Sequence, residues 1–289
     1  MTRRRLEWRF GQRRLLMGER TLLAGMIELT PQHPGGLRQP LSGEQALARA
    51  LQMEQEGADL LLFSADAWLP GVPRITETEE LRRLSPVWKR VRDQLAVPWG
   101  VATEKSQIAE RAFHAGAEVI FDPGGLISDP QLAKIVARYD GGLILGYCRG
   151  SPETWPKLPP VRDPMPSILR SLDAGLGRAR RSHVLPESLI ADPGLGCGMR
   201  REQNVEVIAH LGALAQLDVP LSVGTVEPAA ATLAALAARQ GAHLIRTREV
   251  AAVRTACDWA DAILDALTPK AAGTSDSSVF RAARPTSAR

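Results

Sequence analysis

The chain has 289 residues, enough for one large α/β domain or two small ones with a sizeable core. Hydrophobic residues make up 44% and aromatics only 4%, so aliphatic strands and helices must supply most of that core. The formal net charge is only +4, much of it at the termini, and no apolar run approaches the roughly eighteen residues of a membrane helix; nucleic acid and membrane are not expected partners.

The basic start, Met1-Thr2-Arg3-Arg4-Arg5, has no hydrophobic segment behind it and does not read as a secretory signal. Residues 9–13 and 15–20 read as two short strands, a hairpin closing one end of the main domain; residues 1–20 form this basic segment and hairpin. From Thr21 onward, near-continuous apolar runs alternate with helical patterns. Strands are expected at 22–28, 59–63, 97–101, 118–121, 143–147, 189–191, 220–223 and 243–246, each hydrophobic throughout, as a parallel strand buried on both faces should be. Helices are expected at 43–55, 77–94, 106–114, 129–138, 166–179, 204–216, 229–239 and 249–267. Eight such units in roughly 250 residues are what an α/β fold of the (β/α)8 TIM barrel type requires. A doubly wound open sheet is the alternative, but no Gly-x-Gly-x-x-Gly follows the first strand, so no nucleotide cofactor is expected. The barrel is assigned to residues 21–268. The segment 150–166, with six prolines, reads as a rigid loop after the fifth strand, and the Ser/Thr/Ala/Arg-rich tail 269–289 as disordered. Cys148, Cys197 and Cys257 are odd in number and far apart along the chain; they suggest neither a disulfide framework nor a metal site, and favour a cytoplasmic location.

The stretch that carries most chemical information is Asp192-Pro193-Gly194-Leu195-Gly196-Cys197-Gly198. It places a carboxylate at a strand end, where it can accept two parallel hydrogen bonds from a flat N–H fork. The glycines after it let the backbone pass close to a ligand. Read alone, the segment is equally an ordinary turn whose Asp caps the next helix.

This stretch resembles the Asp-Pro-Gly-(Ile/Phe)-Gly-Phe-Gly-Lys signature of dihydropteroate synthases. Other segments follow in that family's order. Ala24-Gly25-Met26-Ile27-Glu28-Leu29-Thr30-Pro31 is similar to its first-strand motif, and Gly57-Ala58-Asp59 leads into the second strand. Pro70-Gly71 ends a similar loop, and Ala115-Gly116-Ala117-Glu118-Val119-Ile120-Phe121-Asp122 matches the fourth strand. Arg149-Gly150-Ser151-Pro152 and Gly241-Ala242-His243-Leu244-Ile245-Arg246 complete a likeness covering roughly residues 20 to 267. The resemblance implies a pterin-binding barrel whose reference activity is condensation of a pterin pyrophosphate with p-aminobenzoate. It implies a site built from Asp192, Arg246, Asp122, Glu28, Arg248 and Trp68, with Glu28 as candidate magnesium ligand and a pterin or similar heterocycle as partner. Glu28, Asp122 and Asp192 are also candidates for a shared acid/base group, and Trp68 for stacking on a ligand.

Departures from the pattern are chemical. The Asp of the third strand is Ala102, with the following Lys kept as Lys105; the Asn of the fourth is Phe121; the Lys ending the glycine-rich motif is Met199. The Ser-Arg-Lys after the seventh strand is Val226-Glu227-Pro228, the second loop's Thr-Arg is Trp68-Leu69, and Arg248 replaces a His. Three functional readings follow: a synthase-like transferase of folate biosynthesis with weak or lost activity, a barrel with a changed ligand such as the methyltetrahydrofolate methyltransferases bind, and a non-catalytic homologue acting as a homodimer or with a paralogue.

Overall fold

The computed structural model describes residues 3–29, 32–33, 36–37, 40–225 and 229–267. Eight parallel strands form one sheet in the order β10-β9-β8-β7-β6-β3-β12-β11: β3 (Leu22–Glu28), β6 (Leu60–Ser64), β7 (Trp99–Ala102), β8 (Val119–Asp122), β9 (Gly142–Gly146), β10 (Leu189–Asp192), β11 (Ser222–Gly224) and β12 (Leu244–Thr247). The ladder closes between β10 and β11 through the Ala191–Leu221 bridge, with Ala191 N–H donating to Pro220 at 3.0 Å. Pro220 has no N–H to return, which keeps this seam thin. The expected (β/α)8 barrel is therefore present. Among the described residues a short antiparallel pair, β4 (Gln32–His33) and β5 (Gly36–Leu37), follows β3.

The barrel interior is filled by Leu22, Leu60, Leu62, Val119, Ile144, Ile190 and Leu244. Its N-terminal end is closed by the hairpin of β1 (Leu6–Phe10) and β2 (Arg13–Met17), whose Trp8, Phe10 and Met17 join that interior cluster. Trp8 Nε1 donates to the Ser188 carbonyl at 2.9 Å, so the indole plugs the barrel without losing its hydrogen bond. The hairpin turns at Gly11-Gln12, inside the stretch expected to be its first strand. Gly11 adopts a φ of 51°, open to glycine at little cost.

The outer layer consists of α1 (Gly43–Gln55), α2 (Glu77–Val91), α3 (Ser106–Ala115), α4 (Gln131–Arg138), α5 (Met165–Arg181), α6 (Arg201–Ala209), α7 (Ala230–Arg239) and α8 (Val250–Leu267). Local chemistry sets several starts. Ser42 and Gln45 form a reciprocal cap on α1, and Thr76 caps α2. Asp129 lies outside α4 because its carboxylate caps Gln131 N–H at 3.0 Å and Ser106 N–H at 2.8 Å. The expected helix at 204–216 begins earlier, at Arg201, and passes at Leu211 into a 3-10 segment, Leu211–Leu217; Gly212 weakens the helix there. The proline-rich loop contains a 3-10 turn, Trp155–Lys157, and Gly71 N–H donates to Pro152 at 2.8 Å, joining two loops over the barrel mouth. The tail 269–289 and the loop residues Val226, Glu227 and Pro228 lie outside the described residues. Among the described residues, no helix is long and apolar enough to cross a membrane.

Candidate functional site

Because all eight strands run the same way, their C-terminal ends meet at one mouth. Glu28, Asp122 and Asp192 are the last residues of β3, β8 and β10, and Arg246 lies in β12. The mouth holds a cavity of ≈ 930 Å³. Its wall includes Glu28, Ser64, Asp66, Trp68, Phe121, Gly224, Thr225, Arg246 and Arg248, with Leu195 to Cys197 from the glycine-rich loop and Arg201 and Asn204 from α6.

Asp192 is fully buried. Its Oδ1 accepts the Gly194 N–H at 2.9 Å, and its Oδ2 accepts Ser222 Oγ at 2.7 Å together with Arg246 Nε and Nη2, each at 2.9 Å. The Arg246 guanidinium lies over the Phe121 ring, 3.8 Å from its centroid, and forms cavity wall where the sequence reading expected Asp192 to be open to a ligand. Asp192, Ser222 and Arg246 come from the adjacent strands β10, β11 and β12, so their meeting follows from barrel closure.

The structure does not bring the three proposed carboxylates together. Asp122 is buried, and both its oxygens turn back into its own loop, accepting the N–H groups of Gly124 at 2.9 Å and Leu126 at 2.5 Å. Burial, and next the charge of Glu104, push its carboxyl up to about 7. It does not line the cavity. Glu28 does, but its Oε2 is held by Arg248 Nη1 at 3.2 Å, so each neutralises the other. Among the described residues no three His, Cys, Asp or Glu side chains are grouped to hold a metal. Glu28 fits magnesium only as a single carboxylate completed by phosphate oxygens of a substrate, the usual way that ion is bound.

Trp68 reaches the wall, with the Arg74 guanidinium 3.9 Å from its ring centroid and Trp155 6.2 Å away. One face is thus already covered, and the ring anchors the loop. Beneath it is a charge network that the sequence did not disclose. Asp66 accepts Arg74 Nε at 2.6 Å, Arg74 also meets Glu104 at 2.9 Å, and Lys105 pairs with Glu80 and lies 3.7 Å from Asp66. Burial raises the carboxyls of Glu80 and Glu104 in spite of these cations. Lys105, kept from the family pattern, is spent in this network and is not part of the cavity wall.

Sequence reading also missed Ser222, hidden inside an apolar strand, and Arg201 and Asn204. Asn204 Oδ1 accepts the Gly196 N–H at 3.0 Å and ties the glycine-rich loop to α6. The pair Arg200-Arg201 beside Met199 was a legible signal that a cation lies near the place of the lost Lys. Cys148 and Cys197, distant in sequence, face each other across two mouth loops; the Cys148 thiol is held well up first by hydrogen bonding to Cys197 and then by burial.

Comparisons with known proteins agree with this geometry. The family model described as "Pterin binding enzyme" matches residues 27–257. A dihydropteroate synthase of Synechocystis sp. is 28% identical over 270 residues, covering 88% of this chain and 93% of that protein. That of Clostridium beijerinckii is 30% identical over 219 residues, covering 75% and 78%. Among solved structures, the Yersinia pestis dihydropteroate synthase with a sulfonamide drug complex superposes with a TM-score of 0.82 at 26% identity, covering 90% of this chain and 100% of that one. The Xanthomonas albilineans dihydropteroate synthase with 4-aminobenzoic acid gives 0.80 at 28% identity, covering 92% and 100%. A family match over most of the barrel, with these relatives aligned along 78% or more of their length, makes this chain a member of the pterin-binding enzyme family, on its dihydropteroate synthase side.

Proposed function

We propose that the cavity binds a pterin, or a flat heterocycle with the same N–C–N donor edge, at Asp192, and that condensation with p-aminobenzoate is weak or absent. The observation that carries this reading is the seat on Asp192. A planar N–C–N fork already rests on Oδ2 through two 2.9 Å contacts, with an aromatic ring 3.8 Å below it, and that arrangement suits an aminopyrimidine edge. Relatives solved with pteroic acid and with 6-hydroxymethylpterin-monophosphate support the ligand class.

Weak turnover is supported by what surrounds the seat. Ala102 and Phe121, both buried, stand where the resemblance places polar groups that hold the pterin, and each missing partner costs about 1–3 kcal/mol. Lys105 is engaged by Glu80 and Asp66. Magnesium, when bound, would shield the charge of a departing pyrophosphate; Glu28 would hold it, in competition with Arg248. Arg201 remains as a cation for an anionic group, joined by Arg248 when magnesium takes Glu28 from it.

A thermal-shift screen with 6-hydroxymethylpterin, pteroic acid and p-aminobenzoate tests the ligand. At a hundredfold its Kd, a ligand adds about 2.7 kcal/mol to stability, which a melt resolves, and no shift with any pterin would remove the reading. Product formation from the pterin pyrophosphate, p-aminobenzoate and magnesium tests the chemistry. Turnover within the usual enzyme range of roughly 1–10³ s⁻¹ would show that other groups have replaced the lost ones.

A further inference from the structure

The side chain that closes the seat has the shape of the ligand proposed for it. A guanidinium is flat, carries its donors as an N–C–N edge, and here presents Nε and Nη2 to the Asp192 oxygen while its face lies on Phe121. Only 10% of the Arg246 side chain is exposed, and Asp192 is 0% exposed beneath it. Phe121, Gly224 and Arg246 form cavity wall, whereas Asp192 and Ser222 do not. Position 224 is shaped to the guanidinium: a Cβ there would lie 2.9 Å from Nη2, 3.4 Å from Cζ and 3.6 Å from Nη1 of Arg246, its three nearest atoms.

From this geometry we infer that Arg246 is an internal occupant of the donor-edge seat, so that a flat heterocycle binds by displacing it and then stacks on Phe121. The inference rests on the pterin reading above and gives Arg246 the opposite sign from a residue that holds the ligand. Displacement exchanges one N–C–N edge for another on Asp192, and the freed guanidinium turns into the ≈ 930 Å³ cavity. Any ligand must compete with a tethered rival, so its apparent affinity is its intrinsic affinity multiplied by the fraction of molecules with the seat open. Flat anions without a donor edge gain nothing at Asp192 and leave the seat closed. The arrangement therefore selects for the edge itself.

Two variants of the full chain test this. Arg246→Ala removes the occupant, and Arg246→Lys keeps a counter-charge for Asp192 while losing the flat N–C–N edge. Titration with 6-hydroxymethylpterin, followed by its own fluorescence, should show Arg246→Ala binding roughly 10- to 100-fold more tightly than wild type, the range expected when a charge-assisted contact no longer competes, and Arg246→Lys binding more tightly by a smaller factor. Low-millimolar guanidinium chloride, against a sodium chloride control, should weaken pterin binding to Arg246→Ala and raise its melting temperature, with neither effect on wild type. Pterin binding that is equal or weaker in both folded variants overturns the internal-occupant role and makes Arg246 a ligand-holding residue. If no form binds the pterin, the pterin reading fails on its own, and the guanidinium-dependent melt of Arg246→Ala still decides: no shift there overturns the occupant. Arg246→Lys, which leaves Asp192 a counter-charge, covers the case in which a bare, buried Asp192 prevents Arg246→Ala from folding.

Discussion

Asp122-Pro123-Gly124 and Asp192-Pro193-Gly194 are the same tripeptide at the ends of two barrel strands, with β9 between them. Both carboxylates are buried, and in both one oxygen accepts the N–H of the glycine two residues on, at 2.9 Å. This local turn belongs to the tripeptide itself, since a short acidic side chain before a Pro-Gly pair closes on its own backbone. The second oxygen separates them. In Asp122 it goes to Leu126 N–H within the same loop, where Leu126 takes a φ of 62°. In Asp192 it goes across the sheet to Ser222 and Arg246. One motif thus yields a loop brace in one place and a charged seat in the other. The difference teaches that the turn is local while the chemistry depends on which strands the barrel sets alongside.

The largest expected effect breaks the comparison at the glycines. Gly194 has a φ of 69°, and a Cβ there would lie 1.8 Å from the Tyr147 carbonyl oxygen, which is backbone and cannot yield cheaply. Gly124 carries no left-handed φ, and its added Cβ would meet the end of the Glu104 side chain. Gly194→Ala should therefore cost about 4 kcal/mol or more, or prevent folding, while Gly124→Ala, whose Cβ would lie 1.8 Å from Glu104 Oε1, should cost about 1–3 kcal/mol as that side chain swings away from Arg74. Equal losses in urea melts would show that the two turns are held alike.

Asp122 should give the folded state a pH dependence of its own. Burial raises the folded carboxyl of Asp122 from 3.8 to about 7, so between those values the folded state keeps a proton that the unfolded state has lost. Stability from this group is therefore fully present below about pH 4 and declines as pH rises toward 7, by on the order of 4 kcal/mol at most. Asp122→Asn should flatten that decline, and carbon-detected NMR should find the Asp122 carboxyl titrating near neutrality. Titration at ordinary carboxylate pH would contradict the contrast.

At Asp192 the charge has a partner, so the same exchange should act differently. Asp192→Asn leaves the Arg246 guanidinium over Phe121 without its counter-charge. Removing one member of a buried pair costs about 3 kcal/mol or somewhat more. Wild type and variants compared at pH 8 should show Asp192→Asn destabilised more than Asp122→Asn, which loses only one acceptor for the Gly124 or Leu126 N–H. The reverse order would mean that the seat at Asp192 is dispensable to the fold.

The barrel was legible because its signal is repetitive. Eight apolar runs, each buried on both faces, set the strands to within a few residues. What misled were positions where one residue can serve two elements. Gly11 looked like strand interior and is a turn; Asp129 looked like helix and caps it from outside. In the site, the order of motifs placed Glu28, Asp192 and Arg246 at one mouth, but not the pairing of the last two. That pairing depends on how far a guanidinium reaches across β11, and on a glycine at 224 that leaves it room. Asp122 was misread for the same reason, since only the fold shows that its oxygens are already used.

The smallest effect isolates the uncharged one of the two Asp192 partners that have no counterpart at Asp122. Ser222 Oγ donates to Oδ2 at 2.7 Å and lies 3.3 Å from Arg246 Nε, so it steadies both members of the pair. Ser222→Ala removes a donor from a buried carboxylate that keeps Gly194 and Arg246, and should cost about 1–2 kcal/mol. For a domain of this size that is a fall in melting temperature of about 2–8 °C. The titration of Asp122 should not move, because nothing in its loop touches Ser222. With the guanidinium less firmly held, 6-hydroxymethylpterin should bind slightly more tightly than to wild type, in the direction of Arg246→Ala but by a smaller factor. If Ser222→Ala left stability unchanged and weakened the pterin instead, the hydroxyl would belong to the ligand and not to the clamp that stands in its place.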